Sequence, residues 1–237
     1  MMFDVTNTSR EIDESGVDTA ILPVGAIEQH GPHLPLSVDW VQAEYVSKLV
    51  ANRMGALLLP GIPYGSSEVH EGFKGSVSIT HESLKTITKD VCLSLISQGF
   101  TRIGVLNFHG GNIALKVAVR QVNWAQSEGK AVLVQPMLQG GPKLAEILET
   151  SDEDLHAGEM ETSIMMYIAP EQVGKDRIDH VPSLDASAFD LGPMKEYAPD
   201  GIWGRPSFAT AEKGKLLVEY MVSATVEHLD SAFLRFT

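Results

Sequence analysis

The sequence predicts an α/β protein of three layers, with a mostly parallel central sheet covered by helices on both faces. Two observations lead there. Short apolar runs alternate with longer stretches whose apolar residues recur at helical spacing. Glycine and proline punctuate the changes between them. Strands alternating with helices in this way form parallel pairs, because each helix carries the chain back across a face of the sheet.

The elements follow in order. "TAILPVG" (19–25) is a buried strand that ends at Gly25. "DWVQAEYVSKLVANRM" (39–54) is a helix, with Val41, Tyr45 and Leu49 in one stripe and Val46 and Val50 beside it. Asp39 stands at its start, where an acid can cap free backbone N–H groups. "ALLLPGIPYG" (56–65) is a strand running into a loop. "HESLKTITKDVCLSLISQ" (81–98) is a helix stopped by Gly99. The strand "RIGVLNF" (102–108), the helix over 112–129 and the strand "AVLVQPM" (131–137) come next. "GEMETSIMMYIAPE" (158–171) is a helix, 172–208 is an irregular excursion, and 210–236 is an amphipathic helix. No repeat or linker divides the chain, so one domain over residues 1–237 is expected.

Composition limits the function. A chain of 237 residues with a single cysteine has no internal disulfide framework and no cysteine-rich zinc site. Cys92 lies among helix-spaced apolar residues and reads as core. With 31 acidic against 18 basic residues and no long basic run, nucleic-acid binding is not expected. The N-terminus has no signal-peptide pattern, and no stretch approaches the ~20 apolar residues of a membrane span. A cytoplasmic protein acting on a small molecule is the expectation.

Ligands of open parallel sheets bind beyond the carboxyl ends of the strands. Two segments sit there: "EQHGPHLPLSVD", with Glu28, His30, His33 and Asp39, and "NFHGGN", with His109. A third, "DLHAGEMETS", carries His156, Glu159 and Glu161. Taken singly, each has a plainer reading, as a braced histidine, a helix cap or a solvated acid. Together they crowd acids at one end of a sheet, and a divalent cation would relieve that repulsion. Oxygen and imidazole donors without thiolate suit zinc or manganese, with iron admissible. Glu28 and His30 are two residues apart and point the same way if extended, so each could serve one of two neighbouring ions. Two such ions activate a water and polarise a carbonyl, which suits hydrolysis of a C–N bond.

The three segments, in this order, resemble the creatininase family of amidohydrolases, and the likeness runs from about Leu22 to "GIWGRPSFATAEKG" (201–214). The resemblance implies a compact α/β fold, a dinuclear metal centre and a homo-oligomer, often a hexamer. It implies that Glu28, Asp39 and His109 hold one metal, and that His30 and a bridging Asp39 hold the other. It implies that His156 is the catalytic histidine with Glu161 beside it, and that backbone groups of Gly110 and Gly111 line the substrate side.

The sequence departs from true creatininases at Gly111, where they carry a glutamate that completes the second metal site. The second ion then needs another ligand. Glu159 is expected to supply it, ahead of Glu161, because true creatininases lack an acid at the matching position. The two glutamates lie about 200° apart on an ideal helix. His70 either reaches the pocket or belongs to a loop or subunit contact. His33 braces its loop, Lys74 is solvated, and Trp203 either walls the pocket or packs. The expected reaction is hydrolysis of a small cyclic or linear amide by a metal-activated water. Alternatives are a peptidase of peptide-derived cofactor maturation, with its groove along 172–208, and a C–C hydrolase of an oxidised inositol. The non-enzyme alternative is a metal-stabilised binding protein.

Overall fold

The computed structural model describes residues 2–138 and 141–235. Five strands form one sheet: β1 (Phe3–Asp4), β2 (Thr19–Val24), β3 (Leu57–Leu58), β4 (Arg102–Asn107) and β5 (Lys130–Val134). Their order is β1-β3-β2-β4-β5, and every pairing is parallel. β2 lies in the middle and is buried along its whole length, as a parallel strand covered on both faces must be. Its register against β4 runs from Thr19–Arg102 to Val24–Asn107, so both strands end at one edge of the molecule.

The helices are α1 (Ser9–Ser15), α2 (Val38–Met54), α3 (His81–Ser97), α4 (Ala114–Ala125), α5 (Gly141–Ile147), α6 (Glu159–Ile168) and α7 (Ala211–Leu234). Strand alternation divides the core in two. Ile21 of β2 and Leu106 of β4 pack with Val46, Val50, Ile164, Leu217 and Met221, from α2, α6 and α7. Ala20, Leu22, Ile103 and Val105 face the other way, toward α3 and α4, among Leu84, Cys92, Leu115 and Val122. Cys92 is fully buried in this second core, and burial pushes its thiol up to about 12.

The α/β expectation holds in class and in the order of its main elements. Several details differ. β3 is only two residues long, α4 begins at Ala114 rather than 112, and α6 ends at Ile168. β1, α1 and α5 were not expected. Phe236, the last residue of the expected C-terminal helix, lies outside the described residues. The 172–208 excursion contains short 3-10 turns at Ala186–Asp190 and Met194–Glu196. It is closed by a cluster of Ala188, Met194, Ala198 and Trp203. Trp203 packs there, 5.3 Å from the Phe189 ring and 5.8 Å from the Tyr197 ring. Among the described residues, no helix is long and apolar enough to cross a membrane.

Candidate metal centre

The centre forms where β2 and β4 end. The chain leaving β2 delivers Glu28 and His30, and α2 then presents Asp39 in its first turn. The chain leaving β4 delivers His109, and the first turn of α6 delivers Glu161, with His156 in the turn before it. Asp39 is not a capping residue: the start of α2 has no side-chain cap, and the carboxylate turns to the histidines instead. Its Oδ1 lies 3.2 Å from His30 Nε2 and its Oδ2 3.3 Å from His109 Nδ1. Glu28 Oε1 lies 3.2 Å from His109 Nδ1 and 3.1 Å from His70 Nε2. His70 is therefore in the pocket, and Lys74 is exposed to solvent.

Two triads share Asp39. Glu28, Asp39 and His109 offer ligand atoms within 4.8 Å of one another, and so do His30, Asp39 and Glu161. A third group, Glu28, His30 and His156, meets the same measure. Glu28 and His30 are 1% exposed and Asp39 2%, so these charges have left water.

Backbone carbonyls choose which imidazole nitrogen faces the centre. His30 Nδ1 donates to Glu28 O at 3.1 Å, and His109 Nε2 donates to Ser66 O at 3.0 Å. Each ring is left with its other nitrogen turned to the carboxylates, the arrangement by which a second hydrogen bond orients a metal-binding histidine.

The donor set fits a cation. Glu28 Oε2, His30 Nε2 and Asp39 Oδ2 are buried without a hydrogen-bond partner. Such atoms are costly to leave unpaired. Protonation points the same way. Burial opposes charge on Glu28, but His109 and His70 hold its carboxyl well below the usual range. Burial also opposes charge on His30, but Asp39 and Glu161 outweigh it and raise the imidazole well above 6.5. His109 is raised in the same way by Glu28 and Asp39, against its burial. A pocket that draws protons onto two buried imidazoles has surplus negative charge, which a cation would balance.

His156 differs. Burial, then repulsion from His30 and His70, push it down to about 3, so it stands neutral. Its ring lies 4.3 Å from that of His30 and 4.5 Å from that of His70, centroid to centroid. Its Nδ1 is 3.9 Å from Glu28 Oε1.

The ranking of Glu159 over Glu161 is corrected. Glu159 lies outside the centre: its carboxylate accepts from the N–H groups of Glu149 and Thr150, from the Thr150 hydroxyl, and from Lys213 Nζ at 2.5 Å. It ties α6 to the preceding turn and to α7. Glu161 faces the centre. One of its oxygens accepts from Ala157 N–H at 2.6 Å, and the other lies 3.8 Å from His30 Nε2.

Gly111 leaves no room for the stem of the glutamate that true creatininases carry at this position. A Cβ there would stand 2.4 Å from His109 Nε2 and 2.4 Å from Ser66 O. Gly110 is exposed beside it. His33 braces its loop through Thr162 Oγ1 at 2.9 Å, and burial lowers it to about 4.

Sequence reasoning missed Gln29, whose amide Nε2 lies 2.9 Å from His70 Nδ1. It also missed Asn112, which bridges Gly25 O, Asn107 Oδ1 and Ser66 N–H beneath His109. Its place three residues after His109 was the available signal. Asp154 was passed over as well. It accepts from Met160 N–H at the start of α6, and burial pushes its carboxyl up to about 7.

Known proteins share this sequence pattern and architecture. The family model for creatinine amidohydrolase matches residues 6–229. A mycofactocin precursor peptide peptidase of Mycobacterium ulcerans is 33% identical over 246 residues, covering 94% of this chain and 89% of that protein. A creatinine amidohydrolase of Pseudomonas putida is 31% identical over 232 residues, covering 90% and 89%. Among solved structures, a mutant creatininase of Zn-Zn type superposes with a TM-score of 0.84 at 27% identity, covering 98% of this chain and 99% of that one. With this match along nearly the whole chain, and a buried cluster of metal-capable acids and histidines where the strands end, the chain belongs to the creatininase family.

Proposed function

We propose that this protein hydrolyses an amide C–N bond at a dinuclear metal centre. Glu28, Asp39 and His109 would hold one divalent cation, and His30, Asp39 and Glu161 the other. The observation that carries the reading is Asp39, whose two carboxylate oxygens face histidines of two different triads. Oxygen and imidazole donors suit zinc or manganese. Ions so held supply Lewis acidity, which acidifies water and polarises a carbonyl.

The protein's own groups do the rest. His156 is neutral and buried beside Glu28, so its free nitrogen can take a proton as water adds to the carbonyl. The same nitrogen then returns the proton to the departing amine, which leaves the carboxylic acid and the amine as products. His70 donates to Glu28 and holds that carboxylate in place. Backbone groups of Gly110 and Gly111 line the substrate side next to His109. The near-complete burial of Glu28, His70, His109 and His156 excludes bulk water and strengthens every charge interaction among them.

The substrate reading is a small cyclic or linear amide. A peptide bond is the second reading, supported by the 33% identity to the mycofactocin precursor peptide peptidase of Mycobacterium ulcerans. The test is a metal-loaded screen across lactams, formamides, short peptides and keto-inositols. Two ions per chain with turnover of one amide class is the expected result. Full metal occupancy with ligand-induced stabilisation but no turnover would make the protein a binding module. Cleavage of keto-inositols alone would move the reaction to a C–C bond.

A further inference from the structure

Gln29 lies between two proposed metal ligands, yet its own side chain turns to the two histidines that hold no place in either Asp39 triad. Its Nε2 is 2.9 Å from His70 Nδ1 and 3.1 Å from His156 Nε2. Its backbone carbonyl is 2.8 Å from His156 Nε2.

The orientation of the amide is fixed independently of the histidines. Oε1 accepts the N–H of Gly31 at 2.9 Å, so the nitrogen end must be the one facing the rings. The amide has no space to turn. A Cβ at Gly201 would come within 1.7 Å of Oε1, and Gly201 holds a left-handed backbone, φ 76°. Met194 Sδ packs 3.6 Å from the amide nitrogen on another side. Both Met194 and Gly201 belong to the 172–208 excursion, so that segment holds the amide in place.

The proton positions follow from donor and acceptor rules. The amide nitrogen can only donate, so His70 Nδ1 must accept and carry no proton. A neutral His70 then bears its proton on Nε2, the nitrogen 3.1 Å from Glu28. The Gln29 carbonyl can only accept, so His156 Nε2 must donate to it, and the 3.1 Å approach of the amide nitrogen is a packing contact. His156 is left with a bare Nδ1 facing Glu28 and the centre.

We infer that Gln29 is a positioning residue that fixes the tautomers of His156 and His70, presenting a proton-accepting Nδ1 on one and a proton-bearing Nε2 on the other. The inference gives this dyad a role in the hydrolytic reading above and rests on that reading for its use. The tautomers themselves can be read without turnover.

The experiment is nitrogen-15 NMR of the imidazoles in wild-type protein, with and without zinc, at one fixed neutral pH. Zinc content is measured in parallel. In the wild type, His156 should show a protonated Nε2 and His70 a protonated Nε2. Gln29→Met keeps length and volume but cannot donate; it should retain zinc while His70 becomes a tautomer mixture. Gln29→Glu, which can only accept, should move the His70 proton to Nδ1. Once a substrate is in hand, Gln29→Met should lower kcat at least tenfold with KM and zinc content unchanged. A wild-type His70 protonated on Nδ1, or a wild-type His156 protonated on Nδ1, overturns the inference without any variant having to fold. So does a Gln29→Met protein with unchanged tautomers. Absence of zinc from the wild type would instead count against the metal reading, and the zinc-free spectra would still decide the tautomers.

Discussion

Asp39 and the glutamates of α6 show how strongly single side chains divide the labour of this site. Glu161 sends one oxygen toward His30, while Glu159, two residues earlier, is neutralised by Lys213. Glu161→Gln should lower bound metal from two ions to one per chain and leave the fold intact, as counted by elemental analysis beside a thermal melt. Glu159→Gln should leave metal content unchanged but cost about 1–3 kcal/mol in denaturant unfolding, because a neutral amide accepts less strongly from the Glu149 and Thr150 N–H groups and from Lys213, which keeps Glu149 and the Phe208 carbonyl as partners. Sequence alone ranked this pair the wrong way round. Helical spacing sets the angle between two residues, but the rotation of α6 about its axis is set by how Ile164 and Met165 seat in their cores. His156 makes a second prediction, for the metal-free protein. Its pKa is depressed from 6.5 to about 3, so the unfolded chain takes up a proton that the folded chain refuses. Its contribution to stability is complete above about pH 6.5 and drains away as pH falls toward 3. Between pH 6 and 4 the wild type should lose stability faster than His156→Gln, by up to about 1.4 kcal/mol per pH unit.

Elements carry these side chains to one edge, and the longer ones could be read from the sequence. β2 is an uninterrupted buried run, β4 is buried beyond Arg102, and α3 and α7 begin at threonines whose hydroxyls accept from the third residue on. Thr210→Ala should remove one such cap at a cost of about 1 kcal/mol, seen as a melting temperature lower by about 2–4 °C. β1 could not be read because two residues make no period, and it is a strand only because β3 lies beside it. α1 has no buried residue, so no apolar stripe announces it. The loop after β4 is tightly packed. Gly111→Ala would press a methyl against His109 and the Ser66 carbonyl, at about 1–3 kcal/mol and with weakened metal binding in a titration.

At the scale of the whole molecule, the centre gathers its groups from β2, α2, β4 and α6, and only the complete sheet brings them together. Motif order made the family legible. The burial of His70 and the place of Gln29 were not, because both depend on the excursion over 172–208 folding back to the centre. Zinc or manganese at one hundred times its dissociation constant should stabilise the native state by about 2.7 kcal/mol per site, and chelation should reverse it in a thermal melt. The parallel register of β2 on β4 carries a further consequence for how the protein matures. Distant segments must be joined before any triad exists, so ions cannot template the early chain. Refolding should run at the same speed in chelator and in zinc, with the ion captured afterwards by a finished scaffold.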